Sequence, residues 1–427
     1  MRRSEAPFPA GPTLTPIAQA AAFHRDPLGV ELRAKARFGP IFTLRFPKVG
    51  ALVVVTEPAE IEPLLASDPQ GSQAGEARRH ILPLASPRSV FGGDAEQHQE
   101  ARARIAPAFS AERVERQRGA MGRMATEHAR RWPRGRPFRL LPRIRALVDD
   151  LFTAFALGIE DEDRRQRLSE AIGRMLWTPG NPPVPPPGDG FGLPGVLGDR
   201  LFKRRSAPVK RLLAEELEAR RRRGPTGDDI ISRLAETSLT GEEAANELVV
   251  VLAAGQEPPA SALTSLFELG GRVPGVLERL EADGGGSGAE AVVKETLRLR
   301  PPAVGLMRRL TAARTISGHE LPAGTVTMVP TALVHRDPEV FTEPRSFSAE
   351  RWLSGSQPET SYAPFGGGAR RCVGEPLAHA YLRAVVPAIV RSMHLRPFWP
   401  HPERMVVRGT IQVPHRSGLV LAGPPGV

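Results

Sequence analysis

The sequence predicts a mostly α-helical protein with small β-sheets, folded as one large domain of 427 residues. Three observations predict it. Apolar residues recur at helical spacing along most of the chain, well past the one-third helix share of an average domain. The β-rich runs are short and scattered. The composition is that of a globular protein, 41% hydrophobic and 25% charged, and no apolar run approaches the ~20 residues that cross a bilayer.

The elements follow in chain order. Residues 1–20 carry Arg2 and Arg3 with no apolar stretch behind them, so they read as an extension and not as a secretory signal. Residues 41–56 (IFTLRFPKVGALVVVT) read as a hairpin, two β-rich runs around Pro47–Gly50. Helical patterns cover 58–66, 96–106, 111–131, 142–158, 162–176, 203–222, 228–236, 241–270, 289–299 and 375–393. The helix at 241–270 has the strongest start signal: Thr240 and Glu243 form a capping-box pattern, and the run ELVVVLAAG behind them is apolar on nearly all sides, as a fully buried helix requires. Short strands are expected near 304–310, 314–316, 325–329 and 405–422. The chain has 42 glycines and 44 prolines, concentrated at 179–195, a loop or connection, and at 284–288, a flexible turn.

The net charge of +11 comes from arginine spread along the chain. The densest run, Arg220 to Arg223, ends an amphipathic stretch and precedes Gly224-Pro225. It reads as a solvated helix end, where cations suit the dipole. Two tyrosines and four tryptophans leave little for base stacking, so a nucleic-acid binder ranks last. The single cysteine, Cys372, excludes disulfides, Cys-rich zinc sites and CxxC redox chemistry, and fits a reducing cytoplasm.

That cysteine lies in the most informative segment, Phe365-Gly-Gly-Gly-Ala-Arg-Arg-Cys372-Val-Gly374-Glu-Pro376. The glycines suit a tight turn, and Pro376 suits the first turn of a following helix. Cys372 is then expected just before a helix N-terminus, where N–H groups and the dipole lower a thiol's pKa, with Arg370 and Arg371 acting in the same direction. A thiolate there could be a nucleophile, given a histidine base, or an iron ligand.

The string at 365–374 resembles F-G-x-G-x-R-x-C-x-G, the haem-binding signature of the cytochrome P450 family. Glu295-Thr-Leu-Arg298 is similar to that family's E-x-x-R motif, and Phe347-Ser-Ala-Glu-Arg351-Trp352 to its F-x-P-E-R-W segment, with Ala349 where proline is usual. In order and spacing, the resemblance covers roughly residues 20–422. It implies the cytochrome P450 fold over 1–427, with a helix-rich and a small β-rich part. It also implies haem b (iron protoporphyrin IX), with Cys372 as the iron ligand and Phe365, Gly366 and Gly374 around the cofactor, and a buried ion network of Glu295, Arg298 and Arg351. For the haem propionates it implies His98, Arg102, Arg308 and Arg370, with Arg309 as a rival to Arg308. Residues 66–95 and 165–215 match the family's variable substrate-access regions, and their apolar side chains (Ile81, Leu82, Leu84, Val90 and Phe91; Met175, Leu176, Trp177, Val184, Phe191 and Leu193) suit a lipophilic substrate.

The family's oxygen-binding motif A-G-x-[DE]-T-T aligns with Ala254-Gly255-Gln256-Glu257-Pro258-Pro259. Ala254 and Gly255 are expected to leave room above the haem, and Glu257 keeps the acid. Prolines replace both threonines, so Pro258 offers no hydroxyl. They also remove the N–H groups that would reach the carbonyls of Ala254 and Gly255, so a kink is expected. Glu257, water and a substrate hydroxyl are then the expected proton relay, with Ser261 as a weaker candidate. The resemblance implies a soluble, cytoplasmic, bacterial-type monooxygenase of secondary metabolism. It would hydroxylate a small lipophilic substrate (a terpenoid, fatty acid or polyketide) with O2 and with electrons from ferredoxin and ferredoxin reductase, with no membrane anchor and no nucleic acid. The prolines motivate an alternative with atypical oxygen activation, such as a peroxygenase, isomerase or dehydratase. A non-catalytic haem sensor or carrier is a further alternative.

Overall fold

The computed structural model describes residues 8–47, 49–79, 85–176, 196–224, 227–283, 286–353 and 361–424. The helices are α1 (Pro16–Arg25), α2 (Pro27–Phe38), α3 (Pro58–Ala66), α4 (Ala74–Arg79), α5 (Ala95–Ile105), α6 (Ala111–Arg130), α7 (Leu140–Leu151), α8 (Glu162–Leu176), α9 (Val196–Arg223), α10 (Ile230–Ala235), α11 (Gly241–Gly270), α12 (Val276–Ala282), α13 (Ser287–Leu299), α14 (Thr331–Val334) and α15 (Glu375–Ser392). The strands are β1 (Ile41–Phe46), β2 (Gly50–Val55), β3 (Ser72–Gln73), β4 (Pro137–Arg139), β5 (Leu306–Leu310), β6 (Arg314–Ile316), β7 (His319–Leu321), β8 (Val326–Val329), β9 (His394–Pro397), β10 (Met405–Arg408), β11 (Ile411–Pro414) and β12 (Leu419–Gly423). The main sheet has the order β1-β2-β8-β5-β3, with β2 and β8 parallel; β4-β12-β9, β10-β11 and β6-β7 form the small ones. The mostly-α reading with small sheets holds.

The largest apolar core lies among the helices, where Leu248, Leu252, Leu263 and Phe267 of α11 are fully covered. The uniform apolarity of α11 has a direct cause: α7, α9, α13 and α15 all pack on it. A second core joins α1 and α2 to the main sheet through Phe23, Phe42, Phe46 and Leu52.

Several details depart from the sequence expectations. Phe8 onward is not a loose extension: the Thr43 hydroxyl donates to the Pro9 carbonyl at 2.7 Å and the Thr43 N–H to the Ala10 carbonyl at 3.1 Å. The helices α1 and α2 were missed because their apolar pattern is weak, but their caps were legible. The Thr15 side chain accepts from the Ala18 N–H and the Asp26 side chain from the Gly29 N–H, each before a proline at the helix start, and Gly39 closes α2. The arginine run is only partly solvated: Arg220 pairs with Asp229 at 2.7 Å and donates to the Gly158 carbonyl at 2.9 Å, tying α9 to α10. Helix α11 does match its expected span, 241–270, with Pro258 and Pro259 inside it. The pattern at 142–158 divides into α7 and a π turn, Phe152–Ala156.

Candidate active site

The cysteine loop is built by local backbone chemistry. The Cys372 N–H donates to the Phe365 carbonyl at 2.9 Å, closing a turn in which Gly366 and Gly368 have φ of 76° and 61°. Those angles favour glycine. At Gly368 a side chain would also come within 2.7 Å of the Leu65 carbonyl, so this glycine admits α3. Gly374 caps α15 and Pro376 sits in its first turn. The Gly374 N–H points at the Cys372 sulfur. The thiol is surrounded by protein yet presents open surface, because that surface belongs to the wall of a cavity of about 1900 Å³.

The electrostatics correct one expectation. Burial pushes the Cys372 thiol above its ordinary range; the Gly374 N–H, Arg102 and Arg78 pull it back down, while Glu375 adds to the rise. Arg370 and Arg371 are not the cations that serve it. Arg371 turns outward to Glu375 at 2.7 Å. Arg370 is clamped between Asp68 at 3.0 Å and Asp94 at 2.7 Å, and the same carboxylates accept the backbone N–H groups of Ala74 and of Gly75 and Glu76. Each of these arginines already has carboxylate partners, so adjacency in sequence did not decide which cations act on the thiol.

Arg102, Arg308 and Arg370 line the cavity with Cys372, and Arg78 joins them. Arg308 donates to the carbonyls of Met307 at 3.0 Å and Leu65 at 3.1 Å. Its rival Arg309 leaves the site and pairs with Glu76 at 3.1 Å. Burial, then the charges of Arg308 and Arg370, push Arg78 down to about 9; burial, with Arg370 opposing Asp68, pushes Arg308 down to about 10. Arg308 Nε and Arg370 Nη1 are buried without a hydrogen-bond partner. His98 lies between the Val90 carbonyl at 2.9 Å and the Ala369 carbonyl at 3.3 Å, and burial and Arg370 lower its pKa. The cluster therefore holds more cationic than anionic charge, with donors left over. A haem fits this arrangement: its two propionates are the anions the guanidiniums lack, and the thiol beside them can take iron. Arg78, Asp68 and Asp94 were missed by sequence reasoning; Arg78 stands in an unremarkable EARRH run.

On the other wall, Ala254, Gly255, Glu257, Pro258 and Pro259 of α11 border the cavity together. A side chain at Gly255 would fall 2.0 Å from the Phe152 ring, so this glycine also permits contact with the π turn after α7. Glu257 pairs with Arg145 at 2.9 Å, both largely buried. Ser261 is corrected as a relay candidate: it is fully buried and its hydroxyl donates to the Gln412 carbonyl at 2.5 Å. Val90, Phe91 and Met175 line the cavity as expected of access residues. Ile81, Leu82, Leu84, Trp177, Val184, Phe191 and Leu193, and the side chain of Leu176, lie outside the described residues.

The loop carrying Val90 and Phe91 is held from α11. Glu247 is buried and accepts the Val90 N–H at 3.0 Å, and Arg88 pairs with Glu243 at 2.6 Å. Burial pushes Glu247 up to about 7, against the Val90 N–H and Arg104. Its proton affinity is therefore higher folded than unfolded, so the folded state is favoured less as pH rises from about 4 to 7. Glu247→Gln keeps the acceptor for Val90 and removes the charge. It should match the parent at pH 4 and exceed it by up to roughly 3 kcal/mol at pH 8, read from urea midpoints. A pH-independent difference would contradict this.

Behind the loop, Glu295 is fully buried. It takes Arg298 through both oxygens at 2.8 Å, Arg351 at 3.2 Å, the Trp352 indole at 2.9 Å and the Ser348 N–H at 2.9 Å. The expected ion network is present, with Trp352 and Ser348 added.

Among the described residues no helix is long and apolar enough to cross a membrane. The sequence pattern of the family described as Cytochrome P450 matches residues 289–409. The putative cytochrome P450 135B1 of Mycobacterium bovis is 28% identical over 97% of this chain and 91% of its own. The putative cytochrome P450 135A1 of Mycobacterium tuberculosis is 28% identical over 95% and 93%. Among solved structures, the cyanobacterial CYP120A1 with retinoic acid bound superposes with a TM-score of 0.83 at 20% identity, covering 98% of this chain and 99% of that one. A six-coordinated cytochrome P450 from Thermus thermophilus superposes with a TM-score of 0.71 at 26% identity, covering 93% and 98%. The cysteine loop at the head of α15, the Glu295 network and these matches agree: the chain has the cytochrome P450 fold and is similar over nearly its whole length to the cytochrome P450 family of haem-thiolate monooxygenases.

Proposed function

We propose that this enzyme hydroxylates a small lipophilic substrate, with O2 and with electrons from a ferredoxin and its reductase, in the cytoplasm. The observation that carries the reading is the Cys372 thiol opening onto a large cavity beside surplus guanidinium groups. Cys372 is the iron ligand of haem b, and Arg78, Arg102, Arg308, Arg370 and His98 serve its propionates. When bound, the haem iron activates O2 so that one oxygen atom enters a C–H bond. Val249, Val250, Ala253, Leu263 and Met307 give the substrate an apolar wall that excludes water. Glu257 holds and passes protons at its carboxylate, since Pro258 has no hydroxyl to do so.

Terpenoid, fatty-acid and polyketide probes should shift the absorption spectrum of the haem-loaded protein and be hydroxylated with NADPH, ferredoxin and reductase. Glu257→Gln should cut electron-driven turnover by at least ~10²-fold, the low end for a positioned proton donor. Full turnover in that variant would overturn its role, and no shift with any probe class would overturn the substrate reading. The proline pair favours one other reading, peroxide-driven oxygenation: product formed with hydrogen peroxide, and none with the reductase system, would establish it.

A further inference from the structure

We infer that Asp149 supplies protons to Glu257, forming with Asp150 and His128 an inlet between α6, α7 and α11. This inference rests on the relay reading of Glu257 above.

The placement carries it. Arg145, Asp149 and Phe152 lie on one face of α7 and its π turn: Arg145 holds Glu257 at 2.9 Å, and Phe152 packs on Gly255. Asp149, one helical turn beyond Arg145, lines the same cavity as Glu257 and interacts with its charge. Its neighbour Asp150 pairs with His128 of α6 at 2.7 Å; both line the cavity and stay partly open, with side chains 32% and 16% exposed. From α15 the Tyr381 hydroxyl, buried without a hydrogen-bond partner, is near enough to feel Asp149. Arg408 of β10 lies beside Glu257 and Arg145.

Burial and the neighbouring charges both favour the protonated form of Asp149. Burial raises its pKa well above the usual carboxylate range, Glu257 and Asp150 raise it further, and Arg145 opposes them. A carboxyl group that favours its proton thus stands near the Glu257–Arg145 pair. When Glu257 has passed a proton into the cavity, the Asp149 O–H bond breaks as a new Glu257 O–H bond forms. Asp149 then regains its proton from the Asp150–His128 side. No electron moves and no charge is lost. Asp149 acts only through Glu257, so it is a positioning and supply residue.

The test uses the haem-loaded protein, reduced by a photoreduced flavin so that neither substrate nor protein partner is needed. Oxygen consumption is followed against pH in H2O and D2O, and infrared spectra record protonated carboxyl groups. In the parent enzyme, consumption should fall as pH rises through the ionisation of Asp149. Asp149→Asn should be about tenfold slower, a smaller loss than for a direct proton donor, with a larger D2O effect and no such pH limb. It should also lack one protonated-carboxyl band that Glu257→Gln retains. Asp149→Glu should restore the limb; should the asparagine variant fold poorly, Asp149→Ser carries the same expectations. If Glu257→Gln is slow while Asp149→Asn keeps the parental rate and limb, the inlet is overturned and the Glu257 relay stands. If neither variant slows, the relay itself fails and Asp149 with it. Absence of the band from the parent protein also overturns the inlet.

Discussion

Cys372→Ala abolishes the thiolate-type carbonyl band of the reduced protein and lowers haem retention more than roughly 100-fold, beyond what loss of a second-sphere contact produces. The reasoning is positional. The loop from Phe365 to Gly374 has its Cys372 N–H tied to Phe365, its glycines at φ that other residues resist, and its end fixed as the cap of an 18-residue helix. The sulfur is thus held at one point of the cavity wall whether or not anything binds it. Because the thiol borders that cavity, its removal opens no new void in packed protein, and the haem-free variant should unfold within ~0.5 kcal/mol of the parent. Carbon monoxide difference spectra, pigment content and thermal melting of the haem-free chain separate the two effects. An unchanged carbonyl band would remove Cys372 from the iron. A large loss of haem-free stability would make the loop a folding element and leave the ligand question to the spectrum.

Where the sequence was legible, contacts were local. The cysteine string, the capping box at Thr240 and the helix spacing of Glu295 and Arg298 each lie within a few residues, so pattern alone places them. The cation cluster was only half legible for the opposite reason. Arg370 depends on Asp68 and Asp94, which arrive from segments about 300 residues away, and no spacing rule links them. Arg78 and Arg371 show both directions of error. Arg78 has no motif and its charge acts on the thiol, while Arg371 neighbours the cysteine and spends its guanidinium on Glu375. Ser261 had the right spacing from Glu257, but β11 supplied an acceptor, the Gln412 carbonyl, that a helix-only reading cannot see. The fold was clearest where apolar periodicity was strong, and faded at α1 and α2, whose signals are caps.

Arg298→Ala is expected to be the most destabilising single change behind the cysteine loop, at about 3–5 kcal/mol, the range for stripping one partner from a buried ion pair. Arg298 and Glu295 are both fully buried. Arg298 spends its donors on Glu295 and on the carbonyls of His335, Pro344 and Ser346, so its loss strips two charged hydrogen bonds from a buried carboxylate and leaves three carbonyl acceptors unpaired. Arg351 stays beside Glu295 at 3.2 Å and should recover part of the loss, which keeps the cost below that of an isolated buried charge. Arg298→Lys keeps the charge but cannot span both Glu295 oxygens, so it should fall between parent and alanine. The double variant Glu295→Gln/Arg298→Ala should be less destabilised than the sum of its single changes by roughly 0.5–3 kcal/mol, since residues in one network do not add. Chemical denaturation of the parent, the two single variants and the double variant measures that coupling. Strict additivity would mean that the two side chains stabilise the chain separately, and that the segment from 342 to 352 does not depend on their fork for its position behind Cys372.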